Sequence, residues 1–273
     1  MRAVQKAVAC AAVAVTCGCG AASERPVKII NGQSTTNAVY PGVVDFTATF
    51  KREKADCTGT FISSTTLLTA AHCVQPVTSA TGIVVRGLGA TSVAMLANPR
   101  WDPRGEDPQQ MAYDMALVRF AAGTAPGTLA FASRPPRVGD ADTIVGYGDS
   151  DDKSGVGWGT LRAGTNVITA LIPGAIETQG PISSGGSDRR SVSAPGDSGG
   201  PMLVGDGIVG TCSGSIDYFG DHKFTDGYAN VFNSAARAFF RQAAAAGYDV
   251  PDMSGWPAPS AADGTLTSAR TSP

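Results

Sequence analysis

A serine hydroxyl is a weak nucleophile until a neighbouring base takes its proton during attack and a third group orients that base. Three widely separated stretches carry residues of those types. They are His72 in Thr69-Ala-Ala-His-Cys73, Asp114 in Asp114-Met-Ala-Leu117 and Ser198 in Gly196-Asp-Ser-Gly-Gly-Pro201. The 273 residues contain only two histidines, His72 and His222, so the choice of base is narrow. In such a set His72 takes the proton of Ser198 and hands it to a leaving amine, while Asp114 holds the ring in the useful tautomer. Glycine at 196 and 199 permits a sharp turn and close approach of a substrate backbone. The N–H groups of Gly196 and Ser198 then form a hole for the developing oxyanion. Taken singly, each feature has a plainer reading: a turn, a surface carboxylate, a structural histidine.

Taken together and in this order, the motifs resemble those of the trypsin and chymotrypsin family of serine endopeptidases, over nearly all of residues 29–247. The steps are 42 residues from His72 to Asp114 and 84 from Asp114 to Ser198. Ile29-Ile-Asn-Gly32 after Lys28 resembles the family's mature N-terminus. The resemblance implies two six-stranded antiparallel β-barrels with a C-terminal α-helix, peptide-bond hydrolysis and no cofactor. It also implies an inactive precursor: cleavage after Lys28 by an activating protease frees the ammonium of Ile29 to pair with Asp197.

The specificity pocket departs from the family pattern. Ala194 stands where a bridged cysteine is common. Val192, six positions before Ser198, falls at the pocket floor where trypsins carry an aspartate, which argues against a simple preference for Lys or Arg. Ser213, Gly214 and Ser215 resemble the strand that lines the pocket. Asp226, just before Gly227, is read here as a turn residue. Its alternative, aligned through Tyr228, puts it near the floor from the opposite side, where it restores basic specificity.

The elements that must position these groups are strands. Apolar residues make up 42% and charged residues 16%, with 34 Gly and 17 Pro, a turn-rich globular profile. Net charge is only −2, which suggests neither nucleic acid nor an anionic membrane as partner. Short β-rich runs recur from Ile29 to Val231, among them 42–50, 60–69, 82–86, 115–120, 143–145, 166–172 and 202–204. Ser133-Arg-Pro-Pro-Arg-Val-Gly-Asp140 divides them into a first barrel at about 29–132 and a second at about 138–232. Asn233 caps one helix over about 233–246, stopped by Gly247.

Residues 1–22 have the layout of a secretory leader, 23–28 form a short propeptide, and the Ser-, Ala- and Pro-rich tail 251–273 reads as disordered. The expectation is a secreted monomer acting on protein or peptide; lipid attachment at Cys19 is the alternative that brings a membrane. Export favours a disulfide, and pairing Cys57 with Cys73 closes a short loop worth about 3 kcal/mol. Cys212 is then left as a buried thiol.

No metal set is expected, because two distant histidines do not make a zinc site and residues 77–91 lack carboxylates. Two rivals remain. Gly196–Gly200 also fits G-x-S-x-G, with Asp206 or Asp217 and His222 completing an esterase triad of the α/β-hydrolase type. The other rival is a catalytically silent homologue that binds proteins.

Overall fold

The computed structural model describes residues 29–51, 53–104, 108–149, 158–181, 187–217, 223–253 and 255–256. In chain order the strands begin with β1 (Gln33–Ser34), β2 (Val43–Phe50), β3 (Glu53–Phe61) and β4 (Thr66–Thr69). A short helix α1 (Ala71–Val74) precedes β5 (Ile83–Val85), β6 (Ala90–Thr91) and β7 (Ala94–Ala97). A 3-10 turn (Pro108–Tyr113) leads into β8 (Ala116–Arg119). The second half holds β9 (Ala141–Gly146), β10 (Arg162–Ile172), β11 (Ala175–Pro181), β12 (Pro201–Val204), β13 (Gly207–Asp217) and β14 (Lys223–Asn230), then helix α2 (Ser234–Ala245).

Two antiparallel sheets result, as expected. The second closes: β10, β11, β14, β13, β12 and β9 follow one another and β9 pairs back to β10, a six-stranded barrel. The first is a curled seven-stranded sheet in the order β6-β5-β2-β3-β4-β8-β7, with no ladder joining its ends among the described residues. The leading segment also differs from the sequence boundaries. Ile29 and Ile30 are buried, Ile30 bridges Val192, and β1 pairs with β10, so these residues sit on the second barrel. Two adjacent isoleucines find apolar cover there, which a boundary drawn by chain position misses.

Alternation decides which face each strand buries. Along β10, Arg162, Gly164, Asn166 and Ile168 are buried, whereas Thr165, Val167 and Thr169 are exposed, a period of two. On β2 the inward face carries Val44, Phe46 and Ala48 into the first core with Phe61, Val85 and Phe120. Helix α2 presents Ala236, Phe239, Phe240 and Ala243, spaced three and four apart, to the core of the second barrel. Each buried Phe contributes roughly 1.5–3 kcal/mol. The Asn233 side chain caps the helix at Ala236 N, 2.6 Å, and Gly247 at φ 82° ends it. Among the described residues, no helix is long and apolar enough to cross a membrane.

Candidate active site

Strand β4 runs straight into α1, and the four-residue helix sets His72 at the junction of the two sheets. Its neighbour Cys73 is bonded to Cys57 on β3, so the helix is tied to the sheet beside it. Asp114 arrives from the 3-10 turn that precedes β8 and is fully buried. One carboxylate oxygen accepts from the backbone N–H of His72 at 2.9 Å; the other lies 2.7 Å from His72 Nδ1. That second oxygen also accepts from the Ser213 hydroxyl at 2.6 Å. A buried carboxylate needs such donors, because desolvation without them costs several kcal/mol. Burial of the imidazole opposes its protonation, but the hydrogen bond and charge of Asp114 outweigh this and raise the His72 pKa above its usual value.

The contact with Ser213 comes from a β-bulge. Pairing of β13 with β14 shifts register between Cys212 and Gly214, so Ser213 is the extra residue. Sequence reading placed Ser213 only among the pocket residues, whereas the structure joins it to Asp114 across 99 positions. No local signal marks that contact.

Ser198 is half-buried in the turn leading to β12. Its carbonyl accepts from Thr58 N at 2.9 Å, and Gly199 N donates to Cys212 O at 2.8 Å, so the nucleophile loop is held from both sheets. Gly196 at φ 96° and Gly199 at φ 81° occupy the left-handed region that L side chains avoid. A side chain at 199 would collide with Thr69 Oγ1 and the Thr58 carbonyl.

Asp197 points inward and is buried. Its two oxygens accept from Gly148 N at 2.8 Å and Ala194 N at 2.9 Å. Burial, only partly offset by those N–H groups, pushes its carboxyl up to about 7. Ile29 lines the same small interior pocket, with Ser193, Cys212 and Tyr228. Lys28 lies outside the described residues.

The pocket residues correct one expectation. Asp226 is not in a turn: it sits within β14, fully buried, because β14 is paired on both sides, with β11 and β13. Its carboxylate accepts from the Ser193 backbone and hydroxyl and from Tyr228 Oη at 3.3 Å. Val192 is fully buried beside Ile30, and Gly214 and the backbone of Ser215 lie opposite Gly227 and Asp226 across the β13–β14 ladder. Sequence reading missed Asp142 on β9. It is buried with neither oxygen hydrogen-bonded, and burial, then the nearby charge of Asp226, pushes it up to about 7.

Other candidates separate from this site. Asp206 lies in the turn between β12 and β13, Asp217 ends β13, and His222 lies outside the described residues. The all-β architecture lacks the β/α alternation that an α/β-hydrolase needs, which removes that rival. Among the described residues, three potential metal ligands converge only at Cys57, His72 and Cys73, and the disulfide leaves no thiolate there. Cys212 is a free, buried thiol, and burial raises its pKa well above the usual value. His72 opens onto a surface groove walled by Pro76, Pro99, Trp101 and Pro103.

A closed six-stranded antiparallel barrel, a curled second sheet, a histidine–aspartate pair at their junction and a C-terminal helix define the chymotrypsin fold of serine peptidases. The family model described as Trypsin matches residues 29–237, and the chain belongs to that family. It is 26% identical over 227 residues to Trypsin alpha-4 of Lucilia cuprina, covering 73% of this chain and 84% of that protein. It is 27% identical over 206 residues to Trypsin delta of Drosophila melanogaster, covering 68% and 78%. Trypsin alpha of Drosophila erecta is 28% identical over 209 residues, covering 68% and 77%.

Proposed function

We propose that the protein is a secreted serine endopeptidase working through Ser198, His72 and Asp114, made as a precursor and activated by cleavage after Lys28. The observation that carries the reading is the chain of hydrogen bonds from Ser213 to Asp114 to His72 Nδ1, which leaves Nε2 as the ring nitrogen for proton transfer. Ser198 Oγ attacks the peptide carbonyl carbon as Nε2 takes its proton. The oxyanion forms against the N–H groups of Gly196 and Ser198. The C–N bond then breaks, His72 returns the proton to the leaving amine, and water repeats the sequence on the acyl-enzyme.

Activation is supported by two features of the uncleaved chain. Ile29 is held at φ 41°, a region that β-branched residues rarely adopt, and cleavage of the Lys28–Ile29 bond abolishes that constraint. Asp197 is buried in the pocket that Ile29 also lines. For specificity, buried Asp226 beside Ser193 supports Lys or Arg before the scissile bond, despite Val192 at the floor.

The test is fluorophosphonate labelling and peptide hydrolysis by protein cut after Lys28, with a scan of residues before the scissile bond. Labelling lost in Ser198→Ala, no activity in Lys28→Gln, and basic preference lost in Asp226→Asn are the expected results. A cut protein that neither labels nor hydrolyses any peptide is instead a silent, protein-binding homologue. A fully active Lys28→Gln preparation removes the precursor from the proposal.

A further inference from the structure

We propose that Thr58 is a positioning residue for the oxyanion hole, a role that rests on the peptidase reading above. Thr58 belongs to β3 of the first sheet, next to Cys57, and none of it is exposed. Its hydroxyl donates to the Gly196 carbonyl at 2.9 Å and accepts from Tyr147 N at 3.1 Å. Its backbone N–H donates to the Ser198 carbonyl at 2.9 Å, and its own carbonyl accepts from Thr69 Oγ1 at 2.9 Å. One buried residue of the first sheet therefore grips the loop of the second unit at both residues whose N–H groups form the hole. Cys57 and its disulfide to Cys73 connect the same point to the helix of His72.

The grip matters at Gly196, on the side of the loop that faces the first sheet. Gly196 has no Cβ to restrict it, and its positive φ is one of several states open to glycine. The peptide between Gly196 and Asp197 is anchored at both ends: the carbonyl on the Thr58 hydroxyl, and the Asp197 N–H on Ala194 O at 3.0 Å. Releasing the carbonyl end lets that peptide rotate about ψ of Gly196 and φ of Asp197, which shifts the flanking peptides that carry the hole's two N–H groups. Valine at 58 has nearly the same shape but leaves the Gly196 carbonyl and the Tyr147 N–H without their partner. A donor displaced even slightly loses transition-state stabilisation and little ground-state binding.

The experiment compares Thr58→Val, Thr58→Ser and Thr58→Ala with the parent, each cut after Lys28 and each rate normalised to active sites titrated with a fluorophosphonate. The parent measurement tests the peptidase reading by itself; the variants test Thr58. In Thr58→Val, kcat is expected to fall roughly 10- to 30-fold at nearly constant KM, as loss of two modest hydrogen bonds implies. A peptide boronate, which mimics the tetrahedral species, weakens by the same factor, and Thr58→Ser retains kcat within about threefold. Serine and alanine differ there only by the hydroxyl oxygen, so that pair isolates the effect even if the valine variant does not fold. Parent-like kcat and boronate affinity in the valine or alanine variant overturn the proposal. So does a serine variant that falls as far as the alanine variant.

Discussion

On the activation proposed above, the carboxylate of Asp197 ties the stability of this protein to cleavage after Lys28. In the uncleaved chain Asp197 is 3% exposed, accepts two backbone N–H bonds and is pushed up to about 7 from a usual value of 3.8. The folded precursor therefore keeps a proton on Asp197 between about pH 4 and 7, where the unfolded chain has lost it. Stability from this group then falls as pH rises through that window, by about 1.4 kcal/mol per pH unit and about 4 kcal/mol in all. Other buried groups, Asp142 at about 7 among them, add slopes of their own. Comparing two forms of one chain cancels them. On the activation proposed above, the new ammonium of a chain beginning at Ile29 would pair with Asp197 and restore its ionised form, so the extra slope is expected to disappear. Both forms carry Ser198→Ala to prevent self-digestion, and urea unfolding is measured from pH 4 to 8. The expected result is a difference between the two curves that shifts by up to about 4 kcal/mol against the precursor from pH 4 to 7. Parallel curves across pH 4–7 refute the pairing.

Two further outcomes follow from the geometry. The acid limb of the pH profile of kcat/KM should report His72 with a pKa above 6.5, activity rising as the ring loses its proton. Asp114→Asn should move that pKa below 6.5, because the burial of the ring remains while the opposing charge is gone; a limb that stays in place contradicts the assignment. Replacing Asn233 by Ala removes the cap on Ala236 N and a 2.6 Å bond to the Gly174 carbonyl. Denaturant melts should show a loss of about 2–3 kcal/mol, and a loss below about 0.5 kcal/mol shows that water replaces both bonds.

Much of this protein is legible along the chain. Each candidate reacting residue sits in a contiguous motif, so His72, Asp114 and the Gly196–Pro201 turn are readable without contacts. Helix α2 is equally local, since Asn233 caps it and Gly247 stops it within one stretch. The strands show through period-two burial, although β11 and most of β14 were not separated from their loops. Phe224 and Thr225, just past His222, are strand because β11 and β13 pair with them on either side.

Sequence alone determined the family, the pairing of Cys57 with Cys73 and the all-β class, and it named the candidate reacting residues, because motif, loop length and alternation are properties of short segments. Tertiary structure decided what depends on distant strands meeting. Ser213 reaches Asp114 because a bulge on β13 turns it there, and Asp226 leaves the turn that Asp-Gly suggests because two neighbouring strands claim it. Thr58 holds Gly196 from 138 residues away. Hydrogen bonds of that kind exist only once the sheets have closed, and no local propensity encodes them.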